Sequence, residues 1–329
     1  MTPPGSPAAG RTFRPLRLVF LGTPDLACPS LAAAAAAGHQ VPLVLTQPDR
    51  RAGRGRRTKR GEVAALADRL GLPVLQPRRA VEALAEIRAA RPDALVVLAF
   101  GQLLPVEILS LAPLGAINVH FSLLPRLRGA APIQRAVLEG HPLTGVSTML
   151  LDQGLDTGPL LLARETPVGP QETAGELGQR LAGLGAELLL ETLDGLAGGG
   201  LAPTPQDAAL ATYAPRLAKA EGEVDWTRPA RELDWHVRGM DPWPGAFTHT
   251  DGQTLKLFAP TLVLPGAGEG AAPGALLPSP PAAGGLLVVA TGEGALGVGR
   301  VQAPGRQVVA ARDFLRGARL APGLVLGQA

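Results

Sequence analysis

The sequence predicts an α/β fold, with a Rossmann-like, mainly parallel sheet followed by a smaller β-rich domain. Three observations predict it. From Leu16 to about Leu151, short apolar runs alternate with helical stretches, the pattern of parallel strands covered on both faces by crossover helices. The stretch Ala197–Pro205 (AGGGLAPTP) is rich in Gly and Pro and has no periodicity, as expected of a linker. Beyond Tyr213, short β-prone runs alternate with Gly/Pro-rich loops, which suits a small barrel or sandwich.

Each element has its own signal. Leu16–Leu21 (LRLVFL) reads as a buried strand ending at Gly22, with a helix over Asp25–Ala37. The alanines of Ala32–Ala37 are the best helix formers, and Gly38 stops them. Val41–Thr46 is the next strand, and a helix follows near Glu62–Leu70. A short strand at Val74–Leu75 and a helix over Ala80–Ala90 lead to the strand Ala94–Ala99. Ala116–His120 and Gly145–Leu151 continue the series, and Gln171–Leu196 reads as a closing helix. In the second part a helix near Ala230–Met240 precedes strand-like Leu255–Phe258 and Leu286–Ala290. Trp226, Trp235 and Trp243 fall close together, and a domain core is the simplest use for them.

Length agrees with this division, since 329 residues suggest about two domains. We expect a disordered extension over 1–15, a catalytic domain over 16–200, a linker over 201–215 and a second domain over 216–329. Met1–Pro15 has no apolar core of the kind a signal peptide needs, and no apolar run is long enough to span a bilayer. One cysteine, Cys28, excludes an internal disulfide framework and a multi-cysteine metal site. Histidines 39, 120, 141, 236 and 249 form no ligand-spaced pair, so no metal is expected. The reading is a cytoplasmic monomer with no membrane contact.

Charge is concentrated rather than spread. The net charge is only +3, yet Arg50–Arg60 (RRAGRGRRTKR) carries seven basic residues and no acidic one. Those seven are Arg50, Arg51, Arg54, Arg56, Arg57, Lys59 and Arg60. The window reads either as a solvated loop or as an anion-seeking loop on a near-neutral body.

The first strand–turn–helix does not carry a dinucleotide. Gly22-Thr23-Pro24-Asp25 replaces the three-glycine turn that lets a pyrophosphate approach a helix N-terminus. More informative is Ile117–Pro132 (INVHFSLLPRLRGAAP). Asn118 and His120 alternate on a strand, so both side chains share a face near its C-terminal end, where α/β sheets bind ligands. By itself His120 reads equally as a buried core histidine. Asp152–Pro159 (DQGLDTGP) then sets Asp156 after another strand, where a carboxylate can reach an imidazole. An amide, an imidazole and a carboxylate together form an acid–base and oxyanion set.

NVHFSLLPRLRGAAPIQRA together with LDQGLDTGP resembles the folate-dependent formyltransferases. The opening LVFLGTPDLA, the loop TQPDRRAGRGRR and the segment YAPRLAKAEGEVDW…VRGMDPWPGAF resemble the members that act on initiator methionyl-tRNA in translation initiation. The resemblance implies a catalytic trio of Asn118, His120 and Asp156. It implies a tetrahydrofolate-binding stretch at Ser122, Leu123, Leu124 and Pro125, with 10-formyltetrahydrofolate as co-substrate. It also implies an OB-like second domain that carries the tRNA, with the seven basic loop residues contacting the acceptor arm. From residue 216 onward charges nearly balance, and Arg306, Arg312, Arg316 and Arg319 are the candidates for a basic face. Two positions depart from the familiar wording. Phe100 replaces a tyrosine, and Phe121 replaces a glycine and is expected to narrow the pocket rim. The alternatives are a formyltransferase for a small amine, such as glycinamide ribonucleotide or an amino-sugar nucleotide, and a non-catalytic RNA-binding protein on the same scaffold.

Overall fold

The computed structural model describes residues 14–52, 57–250, 252–280, 284–317 and 324–327. They divide into two compact units. One takes residues up to 128, 145–165 and 179–212, and the other takes 129–144, 166–178 and 213 onward.

The first unit is built on β1 (Arg17–Gly22), β2 (Gln40–Leu45), β5 (Val74–Leu75), β6 (Ala94–Leu98) and β7 (Ala116–His120), with β8 (Leu143–Leu150) and β9 (Leu160–Pro167) at one edge. The strand order is β5-β2-β1-β6-β7-β8-β9. The first five strands run parallel, and β8 is antiparallel to β7. Helices α1 (Cys28–Ala36), α2 (Glu62–Arg69), α3 (Leu84–Ala90) and the short α4 (Val106–Leu109) connect the strands. Every residue of β6 and β7 is buried. That double-sided burial is why β6 reads as an unbroken apolar run, while β7 is buried throughout yet carries polar Asn118 and His120 on one face. Val19, Leu21, Leu45, Leu95 and Val97 meet Ile87 and Phe100 in one core. The expected basic loop is a hairpin of β3 (Arg50–Ala52) and β4 (Arg57–Lys59). The long helix α6 (Ala174–Ala197) buries Leu181, Leu188, Leu189 and Leu193.

The second unit contains an antiparallel, curled half-barrel. Its strands are β10 (Ala246–Thr250), β11 (Gln253–Leu264), β12 (Leu276–Leu277), β13 (Leu287–Ala290), β14 (Ala295–Gln302) and β15 (Val309–Ala310). Helices α5 (Pro132–Leu138), α7 (Ala230–Met240) and α8 (Ala311–Gly317) complete it. Leu233, Val237 and Met240 of α7 enter a core with Leu255, Leu257, Val289, Leu296 and Val301.

The tryptophans divide. Trp226 is a core residue, and its indole N–H donates to Thr248 Oγ1 at 2.9 Å. Trp235 is half-buried, with the Arg231 guanidinium 5.8 Å from its ring centre. Trp243 is 49% exposed, so the expectation of one tryptophan core holds for Trp226 and fails for Trp243. Among the described residues no helix is long and apolar enough to cross a membrane.

Candidate active site

β7 places Asn118 and His120 on one face, paired across β8 with Met149 and Ser147. Both are nearly buried, at 8% and 6% exposure, at the C-terminal end of the strand. Alternation sends Val119 and Phe121 to the opposite face. There Gly185 of α6 permits close approach, since a Cβ on it would lie 3.0 Å from Val119 and 3.4 Å from Phe121. Phe121 is therefore packed beneath the helix at 6% exposure. The expectation that it narrows the pocket rim is corrected, because strand alternation turns it away from the Asn118 face.

The imidazole of His120 has a neighbour for each nitrogen. Nε2 lies 3.0 Å from the carbonyl oxygen of Leu127. A carbonyl only accepts, so Nε2 donates and the neutral ring is the Nε2–H tautomer. Nδ1 faces Asp156 Oδ2 at 3.7 Å. That is wider than a hydrogen bond but close enough for an ion pair once the ring is charged. Leu127 and Asp156 share a rare feature, a left-handed backbone, with φ of 57° and 53°.

The Asp156 loop is held from within. The Asp152 carboxylate accepts from Gly154 N at 2.9 Å and from Thr157 Oγ1 at 2.8 Å. Leu150 N donates to Pro159 O at 3.0 Å. A Cβ at Gly158 would sit 1.9 Å from Leu150 O, so only glycine lets the loop fold back against β8.

Residues 122–125 form a braced turn. Ser122 Oγ donates to Arg126 O at 2.7 Å, and Ser147 Oγ donates to Ser122 O at 2.8 Å while accepting from Leu124 N at 3.1 Å. Leu124 is buried, while Leu123 and Pro125 are half-buried. The Ser122 hydroxyl thus shapes the turn. After β6, Leu103 is 90% exposed, a large apolar side chain that sequence reading passed over.

The basic hairpin pairs Arg50 with Lys59, Arg51 with Thr58 and Ala52 with Arg57. Arg54 and Arg56 lie outside the described residues, as do 1–13 of the expected extension and Arg319. At the hairpin base, Asp49 accepts from Gln76 Nε2 at 2.7 Å and Gly61 N at 3.1 Å. The Gln76 hydrogen bond, followed by that from Gly61, holds the Asp49 carboxyl below the usual carboxylate range. Arg60 donates to both oxygens of Asp68 at 2.9 Å and to Gln76 Oε1 at 2.6 Å. Its guanidinium therefore braces the hairpin. Lys59 pairs with Glu62 at 2.7 Å in an exposed contact of the kind that contributes little and yields readily. Arg312 and Arg316 are exposed, 3.7 and 3.6 Å from Asp313, and Arg306 is exposed as well.

The contact to His120 that motif reading missed is the Leu127 carbonyl, a backbone atom with no side-chain signature.

Residues 16–193 match the formyl transferase family, and residues 216–319 match the formyl transferase C-terminal domain. The chain is 48% identical over 315 residues to the methionyl-tRNA formyltransferase of Solibacter usitatus, covering 95% of this chain and 99% of that one. It is 47% identical over 315 residues to that of Citrifermentans bemidjiense, covering 95% and 97%. Among solved structures it is similar to HypX from Aquifex aeolicus in complex with tetrahydrofolic acid. There the TM-score is 0.64 at 18% identity, over 92% of this chain and 47% of that one.

Proposed function

The chain belongs to the methionyl-tRNA formyltransferase family, and from that premise we propose the reaction it performs. It transfers the formyl group of 10-formyltetrahydrofolate to the α-amine of methionine on initiator methionyl-tRNA, for translation initiation. The observation that carries this reading is the paired placement of His120, with Nε2 on the Leu127 carbonyl and Nδ1 toward Asp156, beside Asn118.

The chemistry follows from these groups. A free α-amine has a pKa of about 7.7–8.0, so a useful neutral fraction exists near neutral pH. Its nitrogen attacks the formyl carbon, the new C–N bond forms, and charge develops on the formyl oxygen. Asn118 donates a hydrogen bond to that oxygen. His120 accepts the amine proton at Nδ1, the nitrogen left open by the Nε2–H tautomer. The resulting imidazolium has an acceptor at each nitrogen, Leu127 O and the Asp156 carboxylate. His120 then delivers the proton to N10 of the folate as the C–N10 bond breaks.

The folate would lie along the braced turn of Ser122, Leu123, Leu124 and Pro125, whose half-buried apolar side chains suit a planar ring. In this reading residues 16–200 are the catalytic domain, 201–215 the connection and 216–329 the OB-like domain that carries the tRNA. The compact units differ in grouping 129–144 and 166–178 with the second and 201–212 with the first. An RNA acceptor stem presents dense phosphates. Arg50, Arg51, Arg54, Arg56, Arg57 and Lys59 meet them, while Arg60 holds the hairpin base.

The test is a formylation assay with purified protein and 10-formyltetrahydrofolate against a panel of acceptors. The panel is initiator methionyl-tRNA, elongator methionyl-tRNA, glycinamide ribonucleotide and an amino-sugar nucleotide. The expected result is preferential formylation of the initiator tRNA. Turnover of a small amine alone would overturn the proposal.

A further inference from the structure

We infer that the segment from Thr204 to Thr212 is a clamp on the two neighbours of His120, with Gln206 and Thr212 as positioning residues for formyl transfer. The inference rests on the catalytic reading of His120 given above, and it assigns a role to a stretch whose sequence suggests only a connector.

The segment is fixed at three points. At its start, Thr204 and Leu160 exchange two backbone hydrogen bonds of 2.8 Å, which add it to the edge strand β9. In its middle, the Gln206 amide has all its bonds made. Its Oε1 accepts from Arg128 Nη2 at 2.7 Å and Nε at 3.1 Å. Its Nε2 donates to Gly158 O at 2.7 Å and to Asp156 O at 2.9 Å. Guanidinium only donates and carbonyls only accept, so the amide can point only one way. At its end, Thr212 Oγ1 accepts from Leu127 N at 2.8 Å, and Thr212 O accepts from Arg128 N at 2.9 Å.

Leu127 and Asp156 are the residues that face the two nitrogens of His120, and both sit in the left-handed region. Non-glycine residues stay there only where their surroundings over-determine them. The clamp supplies part of that determination at each one. It holds Leu127 through its N–H and Asp156 through its carbonyl. Relaxing either residue would swing the Leu127 oxygen away from Nε2 or the Asp156 carboxylate away from Nδ1. The imidazole would then lose the orientation that aims Nδ1 at the reacting atoms. Gln206 and Thr212 touch no reacting atom, so they act only through these neighbours.

Misplacing a reacting group by about 1 Å can cost on the order of 100-fold. Gln206→Ala and Thr212→Val should therefore lower kcat by roughly 10- to 100-fold, with KM for 10-formyltetrahydrofolate and for initiator methionyl-tRNA held within about twofold. Both should shift the limb of the kcat–pH profile assigned to His120. Thr212→Ser keeps the acceptor and should restore both readouts. Gln206→Glu keeps the Arg128 contact but sets carboxylate oxygen against two carbonyls, and it should resemble Gln206→Ala. Asp207→Ala is the control within the same segment, because that side chain only accepts from Ala209 N, and its activity should stay at wild type.

Run in parallel, His120→Ala separates the two claims. If it keeps wild-type turnover, the catalytic reading fails. If it is inactive while Gln206→Ala and Thr212→Val keep the wild-type kcat and pH limb, the clamp alone is overturned. A lowered melting temperature with unchanged kcat also overturns the clamp. Should Gln206→Ala fail to fold, the comparison of Thr212→Val with Thr212→Ser decides by the same readouts.

Discussion

His120 and Leu127 are joined by a 3.0 Å hydrogen bond from the imidazole Nε2 to a backbone carbonyl seven residues on. This contact assigns the ring's protons. With Nε2 occupied, Nδ1 is the nitrogen that the proposed mechanism uses for the transferred proton, and Asp156 stands 3.7 Å from it.

Asp156→Asn should lower kcat while leaving the fold intact. Asparagine tolerates the left-handed backbone that Asp156 adopts at φ 53°, so the loop keeps its course. The charge that stabilises the imidazolium is lost, and the limb of the kcat–pH profile set by His120 should move. A kcat–pH series with a melting curve checks this. An unchanged profile with a lower melting temperature would make Asp156 a structural loop residue.

The basic hairpin should show itself in salt. Each phosphate contact removed should reduce the log–log slope of tRNA affinity against salt by a little under one unit. Arg54→Ala and a multiple-alanine hairpin should weaken binding of initiator methionyl-tRNA and flatten that slope, with folate binding unchanged. Arg60→Ala should instead loosen the hairpin base, because its guanidinium holds Asp68 and Gln76. Equal slopes for wild type and the multiple-alanine variant would leave the hairpin a solvated charge run.

Acid should cost stability through His39. This buried ring accepts a hydrogen bond from Leu16 N at Nδ1. Burial holds its pKa below the ordinary 6.5, against a smaller opposing effect of Asp194. Above 6.5 both folded and unfolded chains carry the neutral ring, and the full stability is present. As pH falls through 6.5 the unfolded chain takes the proton first, so stability is lost toward the lower folded value. The slope this one group contributes is at most about 1.4 kcal/mol per pH unit. Urea unfolding of His39→Gln at pH 7.5, 6.5 and 5.5 should show a shallower loss than wild type. Parallel lines would contradict it.

The parallel sheet was legible because double-sided burial writes apolar runs into its strands, as in Leu18–Leu21 of β1 and Ala94–Leu98 of β6. Helix α7 was legible from end to end for a related reason, since its apolar stripe and flanking Pro229 mark it. β14 was not, because ALGVGRVQ breaks the alternation with two glycines, one at Gly299 against Pro260. β9 and α5 also went unread. In the candidate site, the Asn118, His120 and Asp156 side chains were legible as a set, and the structure brings His120 and Asp156 to 3.7 Å with Asn118 on the same strand face as His120. The Leu127 carbonyl was not, and neither was the clamp. Backbone atoms leave no mark in a sequence, and Gln206 and Thr212 gain meaning only from the loops they meet in space. Arg60 reads as one more loop cation until its carboxylate and amide partners are seen.

The central claim is that His120 and Asn118 support the transition state of formyl transfer to methionyl-tRNA. The direct test is kcat on initiator methionyl-tRNA at saturating 10-formyltetrahydrofolate for wild type, His120→Ala and Asn118→Ala, with folate and tRNA binding measured alongside. The account predicts a fall in kcat of roughly 10²- to 10⁴-fold in each variant with binding nearly unchanged. Near-wild-type turnover in either variant would contradict it.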